Sequence, residues 1–153
     1  MPERDRREVR PDHLLRAVLD DRLVVDVLDQ LGAPVPAVRE TLEHRWLEAL
    51  DDVDAEALFA LGIDLDNVLE VLNPPYDAEP DWHGRLLSPA ARDVLLHALV
   101  EYSAIRGPHV HAGHVLLGLL RSHDPLVAAT FRAHHVRLRP ARALVAEMGR
   151  RAG

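Results

Sequence analysis

The sequence predicts an all-α protein with about eight to nine helices. Apolar residues recur at helical spacing along most of the chain, and glycine or proline falls between the periodic segments. No segment alternates apolar and polar residues for long enough to indicate a strand. The chain has 153 residues, 48% hydrophobic and 4% aromatic, so its core must be built mainly from leucine, valine and alanine.

The first half of the chain contains five predicted helices. Pro11 occupies the first position of the opening helix, where a missing backbone N–H costs nothing. Gly32 stops the second helix in the place of a C′ glycine, and Asp64 caps the fifth. These predicted helices cover residues 11–20, 23–31, 38–50, 55–61 and 65–72.

A proline-rich segment, residues 73–87, separates the two halves and is the predicted linker. Directly after it, Ser88 and Pro89 supply an N-cap and a first helical residue, and Asp124 and Pro125 repeat this combination further along. The predicted helices of the second half cover residues 89–106, 115–120, 125–131 and 138–148.

Several residue types that carry chemistry are missing. The chain has no cysteine, which excludes disulfides and thiol catalysis, and all 18 of its basic residues are arginine. Without lysine there is no Schiff-base chemistry and no Walker A loop, and no serine lies in a G-x-S-x-G elbow. We therefore expect a non-enzyme. No apolar run or signal peptide is visible, so we expect a cytoplasmic protein without membrane contact.

Two segments of the chain align with each other around one histidine. PDHLLRAVLDD (11–21) aligns with AGHVLLGLLRS (112–122), which places His13 over His114 and apolar residues over apolar residues. ALFALGIDLDNVL (57–69) matches a later part of the same pattern. The chain therefore contains an internal repeat whose unit begins with one histidine ahead of an apolar helix.

The alignment continues beyond the first helix of each unit. Residues 27–39 align with residues 130–142, and there His135 stands where the first copy has Gly32. A turn of this kind needs a residue with positive φ, which histidine tolerates better than a β-branched residue does. We expect backbone strain at His135 rather than chemistry.

The repeat resembles the Clp N-terminal (Clp R) repeat, whose strongest pattern is Gly-Thr-Glu-His-Leu-Leu-Leu-Gly-Leu. HAGHVLLGLL (111–120) is similar to it, RPDHLLRAVL (10–19) is a more distant copy, and LSPAARDVLLHALVEYSAIRG (87–107) resembles the opening helix of the unit. The resemblance implies the N domain of Clp/Hsp100 unfoldases, in which two four-helix repeats pack as a pseudo-twofold pair. It divides the chain into a charged tail (1–10), a degenerate first repeat with an extra helix pair (11–72), the linker (73–87) and a complete second repeat (88–150).

The resemblance also implies a ligand site. Family N domains bind adaptors, substrate segments and, in some members, phosphorylated arginine. The acid before the repeat histidine holds the guanidinium there, and the start of the opening helix holds the phosphate. Transferred to this chain, these positions and the repeat histidines give five candidate binding residues: Asp12, His13, Ser88, Gly113 and His114. Gly113 has no carboxylate, and no opening helix precedes Pro11, so half of each site is missing.

The histidines form one further cluster in the sequence. His109, His111 and His114 lie close enough along the chain to suggest Zn²⁺ binding. However, His109 and His111 precede the helix that His114 opens, so helical spacing does not bring the three together, and no carboxylate lies nearby in the sequence to orient a ring. We expect capping histidines, with no metal and no other cofactor.

The predicted function is that of a non-catalytic protein- or peptide-binding module. The resemblance implies an adaptor, decoy or regulator of Clp-dependent proteolysis, with Clp unfoldase or protease components, or their ligands such as cyclic peptides, as partners. The alternative is a small regulator that binds nucleic acid through its arginine-rich C-terminal helix. That helix carries five arginines: Arg137, Arg139, Arg142, Arg150 and Arg151. The net charge of −7 does not favour a nucleic-acid partner.

Overall fold

The computed structural model describes residues 8–49, 69, 86–105, 107 and 109–152. Within these ranges, the elements in chain order are β1 Glu8–Val9, α1 Pro11–Val18, α2 Arg22–Gln30, α3 Val35–Ala49, β2 Leu86–Leu87, α4 Pro89–Ile105, α5 Ala112–Leu120, α6 Pro125–Ala133 and α7 Leu138–Ala152. Seven helices confirm the predicted all-α class. The helices predicted at 55–61 and 65–72 lie outside the described residues, apart from Leu69, which is helical and packs against the core.

The two short strands join the predicted tail to the end of the predicted linker. Glu8–Val9 pairs in parallel with Leu86–Leu87, and the Ser88 N–H donates to the Val9 carbonyl oxygen at 2.8 Å. Sequence patterning does not show such strands, because two residues are too few to display alternation. Since α1 begins just after β1 and α4 just after β2, this pairing sets the starts of the two helices side by side.

An aspartate side chain caps the N-terminus of α2 and another caps the N-terminus of α6. The Asp21 carboxylate accepts from the N–H groups of Leu23 and Val24 at 3.0 and 3.3 Å, and so caps α2. The Asp124 carboxylate accepts from the Val127 N–H at 3.0 Å and caps α6. Each cap satisfies N–H groups that have no partner inside the helix.

The same two helices end in the same type of turn. Gly32 has φ 77° and His135 has φ 56°, which confirms the predicted left-handed residue at both positions. After α2, the Ala33 N–H donates to the Leu28 carbonyl at 2.8 Å. After α6, the Val136 N–H donates to the Phe131 carbonyl at 3.0 Å. These bonds define Schellman turns, in which glycine is the usual left-handed residue.

The core is centred on α1 and α5, which pack against each other and are buried over most of their length. Around them, α2 packs on α5 and α7, α3 packs on α6, and α4 packs on α5. The α4–α5 contact is close because Gly118 faces it: a Cβ there would collide with the Val94 carbonyl oxygen. None of the described helices combines the length and apolar character needed to span a bilayer.

The buried face of α4 contains four apolar residues and one carboxylate. Ala91, Val94, Leu95 and Ala98 are buried, as apolar residues at helical spacing are expected to be. Leu99 is 38% exposed, and Glu101 is buried in the interior. A carboxylate in this position needs charged partners, and Arg142 is one of them.

Candidate functional site

The start of α1 holds two of the predicted site residues, Asp12 and His13, and both are buried. The His13 Nδ1 accepts a hydrogen bond from the Arg10 N–H at 3.0 Å, so the imidazole satisfies the backbone just before the helix. Asp12 accepts from the Arg10 guanidinium, with 3.2 Å between Nη2 and Oδ2. The acid that the family resemblance assigns to a ligand guanidinium is therefore already paired with a guanidinium of this chain.

Ser88 begins α4 directly beside this position. Its hydroxyl Oγ accepts from the Ala91 N–H at 3.0 Å, which confirms the predicted N-cap. Its backbone N–H donates to Val9, three residues before Asp12. Asp12, His13 and Ser88 thus belong to one pair of adjoining helix starts, although the aligned positions belong to different halves of the chain.

The start of α5 repeats the histidine geometry of α1. The His114 Nδ1 accepts from the His111 N–H at 3.0 Å, as His13 accepts from Arg10. His111 is itself the N-cap residue: its Nδ1 accepts from the Gly113 N–H at 3.0 Å. His111 and His114 therefore both accept hydrogen bonds through Nδ1. An imidazole can accept a hydrogen bond only when it is neutral.

Gly113 is enclosed and leaves no room for the acidic side chain that the family has at this position. A Cβ there would lie 2.8 Å from His111 Cε1 and 2.9 Å from both Leu23 Cδ2 and Val145 Cγ1. The side chains of His111, Leu23 on α2 and Val145 on α7 therefore close the second potential site. The described residues offer one candidate binding position at the start of α1 and no equivalent at the start of α5.

Burial keeps the α5 histidines neutral. It lowers the pKa of His114 to about 4, helped by the nearby His111 and His109, while Glu101 acts in the opposite direction. Burial also lowers the pKa of His111, and Asp21 partly offsets this effect. The His114 ring lies 4.0 Å from the His111 ring and meets the Tyr102 ring edge-on at 5.3 Å, measured between centroids.

The histidine cluster is closer in space than its sequence spacing indicates. His109, His111 and His114 form a chain of ring contacts, with 6.3 Å between the first two centroids and 4.0 Å between the last two. We expected no convergence, because helical spacing does not relate the first two residues to the third. The Nδ1 atoms of His111 and His114 are already hydrogen-bond acceptors, and the described part of the chain contains no group of three metal-ligating side chains.

A buried carboxylate network lies next to this cluster. Glu101 is 1% exposed, accepts from Arg142 Nε at 2.8 Å and Nη2 at 2.7 Å, and lies 3.3 Å from Arg121 Nη1. The hydrogen bond from Arg142 lowers the pKa of Glu101, whereas burial acts to raise it. This ion pair connects α4 to α7 and to the end of α5. The spacing of Glu101 from Val94 and Ala98 was the one sequence signal for its burial.

Comparison with known proteins adds no assignment. No protein-family model, curated protein or solved structure matches this chain.

Proposed function

We propose that this chain is a non-catalytic peptide-binding module related to the N domains of Clp unfoldases. It acts as an adaptor, decoy or regulator of Clp-dependent proteolysis by taking up segments that the unfoldase N domain also recognises. The observation that carries this function is the Ser88–Val9 hydrogen bond, which joins the acid-bearing start of α1 to the start of α4. Those are the two positions that the family resemblance assigns to the ligand.

Matching helix lengths support an internal duplication. Helices α1, α2 and α3 have 8, 9 and 15 residues, and α5, α6 and α7 have 9, 9 and 15. Each set begins with a histidine-capped helix, followed by a helix that starts at an aspartate cap and ends in a Schellman turn. If the sequence similarity between the two sets of helices were accidental, there would be no reason for the same caps and turns to occur in the same order.

Reciprocal packing supports a pseudo-twofold arrangement of the two sets. A twofold axis that exchanges α1 with α5 also exchanges α2 with α6 and α3 with α7. Two interhelical contacts then recur in matched form: α2 packs on α7 as α3 packs on α6, and α2 packs on α5 as α1 packs on α6. Helix α4 packs on α5 as the opening helix of the second unit. The described residues contain no matching helix before α1.

The Arg10–Asp12 contact sets a condition on ligand binding. A guanidinium ligand has to displace Arg10 from the Asp12 carboxylate, whereas Ser88 and the start of α4 remain beside it. Arg10 is only partly exposed, at 38%, and its pair with Asp12 is a single hydrogen bond rather than a bidentate one. A bidentate guanidinium from a ligand is the stronger partner for a carboxylate.

Calorimetric titration with an arginine-containing Clp substrate peptide, unmodified and arginine-phosphorylated, tests this function. We expect micromolar binding by the full chain, and weaker binding by at least tenfold when Asp12→Asn removes the charge. Asp26→Asn, an exposed change of the same type on α2, is the matched control. Absence of binding to the peptides, to Clp adaptors and to the unfoldase at micromolar concentration would contradict the proposal.

The nucleic-acid alternative loses part of its basis. Arg137 lies just before α7, so four of the five arginines are on the helix. Of these four, Arg142 is bound to the buried Glu101 and Arg151 pairs with Glu147 at 2.7 Å. Fewer guanidinium groups are then available for phosphates than the sequence indicates.

A further inference from the structure

A cleft of about 340 Å³ lies between the end of α5, helix α6 and the start of α7, and none of its lining residues belongs to the start of α1. Its size is at the lower end of the range for ligand sites, about 300–1,000 Å³. Apolar side chains form one part of its lining: Leu120, Phe131 and Val136. Basic side chains form another part: Arg132, His135 and Arg137. No aspartate or glutamate is among the described residues that line it.

The two arginines of this cleft have no carboxylate partner within the described ranges. Arg39, Arg121 and Arg142, by contrast, each lie within 3.3 Å of a carboxylate oxygen. Arg132 and Arg137 are exposed residues, so their guanidinium groups can donate hydrogen bonds to an external anion. Both lie beside buried Phe131 and Val136, which gives the cleft charge and apolar surface together.

His135 adds an imidazole to this surface at the expense of backbone strain. Its φ of 56° belongs to the left-handed region, and the equivalent turn after α2 uses Gly32 instead. Glycine adopts this conformation without a steric penalty, so the turn itself does not call for histidine. Strained residues concentrate at binding and catalytic positions, and the His135 side chain lies on the lining of the cleft.

We infer that this cleft binds an acidic peptide segment that carries one apolar anchor residue. The anchor side chain fills the space over Phe131 and Val136, and flanking carboxylates pair with Arg132 and Arg137. A peptide fits better than a nucleic acid, because a peptide carries a flexible apolar side chain next to its carboxylates, whereas a sugar–phosphate backbone has no such side chain for the apolar lining. This surface goes beyond the proposed function, because none of its residues belongs to the Asp12 position.

Fluorescence anisotropy with a labelled peptide tests this inference on the full chain. The probe is a short peptide with one leucine flanked by glutamates, and two control peptides replace the glutamates by glutamine or the leucine by glycine. We expect Arg132→Glu combined with Arg137→Glu to weaken binding by about tenfold or more, because attraction is replaced by repulsion. Arg22→Glu combined with Arg92→Glu changes the net charge equally at exposed positions elsewhere and should leave binding within about twofold.

The variant His135→Gly distinguishes an effect on peptide binding from an effect on the stability of the fold. Relief of the left-handed strain should leave the thermal midpoint unchanged or higher, while loss of the imidazole weakens peptide binding. Equal loss of binding in the two double variants would overturn the inference, since only the net charge would then matter. Undiminished binding of the glutamine or glycine control peptide, or tighter binding of a single-stranded oligonucleotide, would also overturn it.

Discussion

Acidification should destabilise the fold through the neutral histidine caps of α5. His114 has a pKa of about 4 in the folded chain, against an ordinary value of 6.5, because it is buried. Since the folded chain disfavours the charged form, the contribution of His114 is fully present above about pH 6.5 and is lost as the pH falls towards about 4. Protonation also removes the Nδ1 acceptor that the His111 N–H uses.

The size of this effect follows from proton linkage. The pKa of His114 is about 4 in the folded chain and 6.5 in the unfolded chain. With these two values, the free energy of unfolding falls by about 2 kcal/mol between about pH 7.5 and about pH 5. The groups that face the ring are His111, His109, Tyr102 and Glu101. Among them, Glu101 attracts the proton and the two histidines oppose it. A lowered pKa at His111 adds to the loss in the same direction.

Urea unfolding followed by far-UV circular dichroism measures this dependence. His114→Asn retains a side-chain acceptor but does not titrate. The difference in unfolding free energy between about pH 7.5 and about pH 5 should therefore be about 2 kcal/mol smaller in this variant. His123→Asn, at an exposed histidine, is the matched control and should keep the wild-type difference. An unchanged difference in His114→Asn, or a wild-type stability that does not fall between the two pH values, would refute the reasoning.

Three further predictions concern single contacts. Glu101→Gln leaves Arg142 and Arg121 without their counter-charge and should cost about 3 kcal/mol of unfolding free energy in urea titrations, a loss that shrinks below the lowered pKa of Glu101. Gly118→Ala should lower the thermal midpoint, because its methyl group meets α4 backbone. Gly107→Ala should not, because the nearest heavy atom to its methyl group, the His109 carbonyl oxygen, lies at an ordinary contact distance of 3.9 Å. Arg10→Ala frees Asp12 and should tighten binding of a guanidinium-bearing peptide about twofold to fivefold in calorimetry, and weaker binding would show that Arg10 assists the ligand.

Local signals explain why most helix ends could be predicted. Proline at the first position, aspartate at the cap and glycine after the last turn each act through neighbouring backbone atoms, so they are visible in the sequence. The left-handed conformation of His135 was predictable for a related reason, since it follows from alignment with Gly32. Asp12, His13 and Ser88 were identified as candidates through the family resemblance.

Contacts between distant segments could not be predicted in the same way. The burial of Glu101 depends on Arg142, which comes from another helix, and the strand pair joins residues far apart in the chain. The closure of Gly113 depends on side chains of α2 and α7. Periodicity reports which face of a helix is buried but not which helix covers it, so such contacts follow only from the packed structure.

Nuclear magnetic resonance mapping of the full chain tests the central functional proposal most directly. Isotope-labelled protein would be titrated with the arginine-phosphorylated substrate peptide while backbone amide shifts are followed. We expect the largest saturable changes at residues 10–13 and 88–91, where the starts of α1 and α4 adjoin, and small changes around Gly113. Shifts that never saturate, or saturable changes confined to other surfaces, would contradict a ligand site built from these two helix starts.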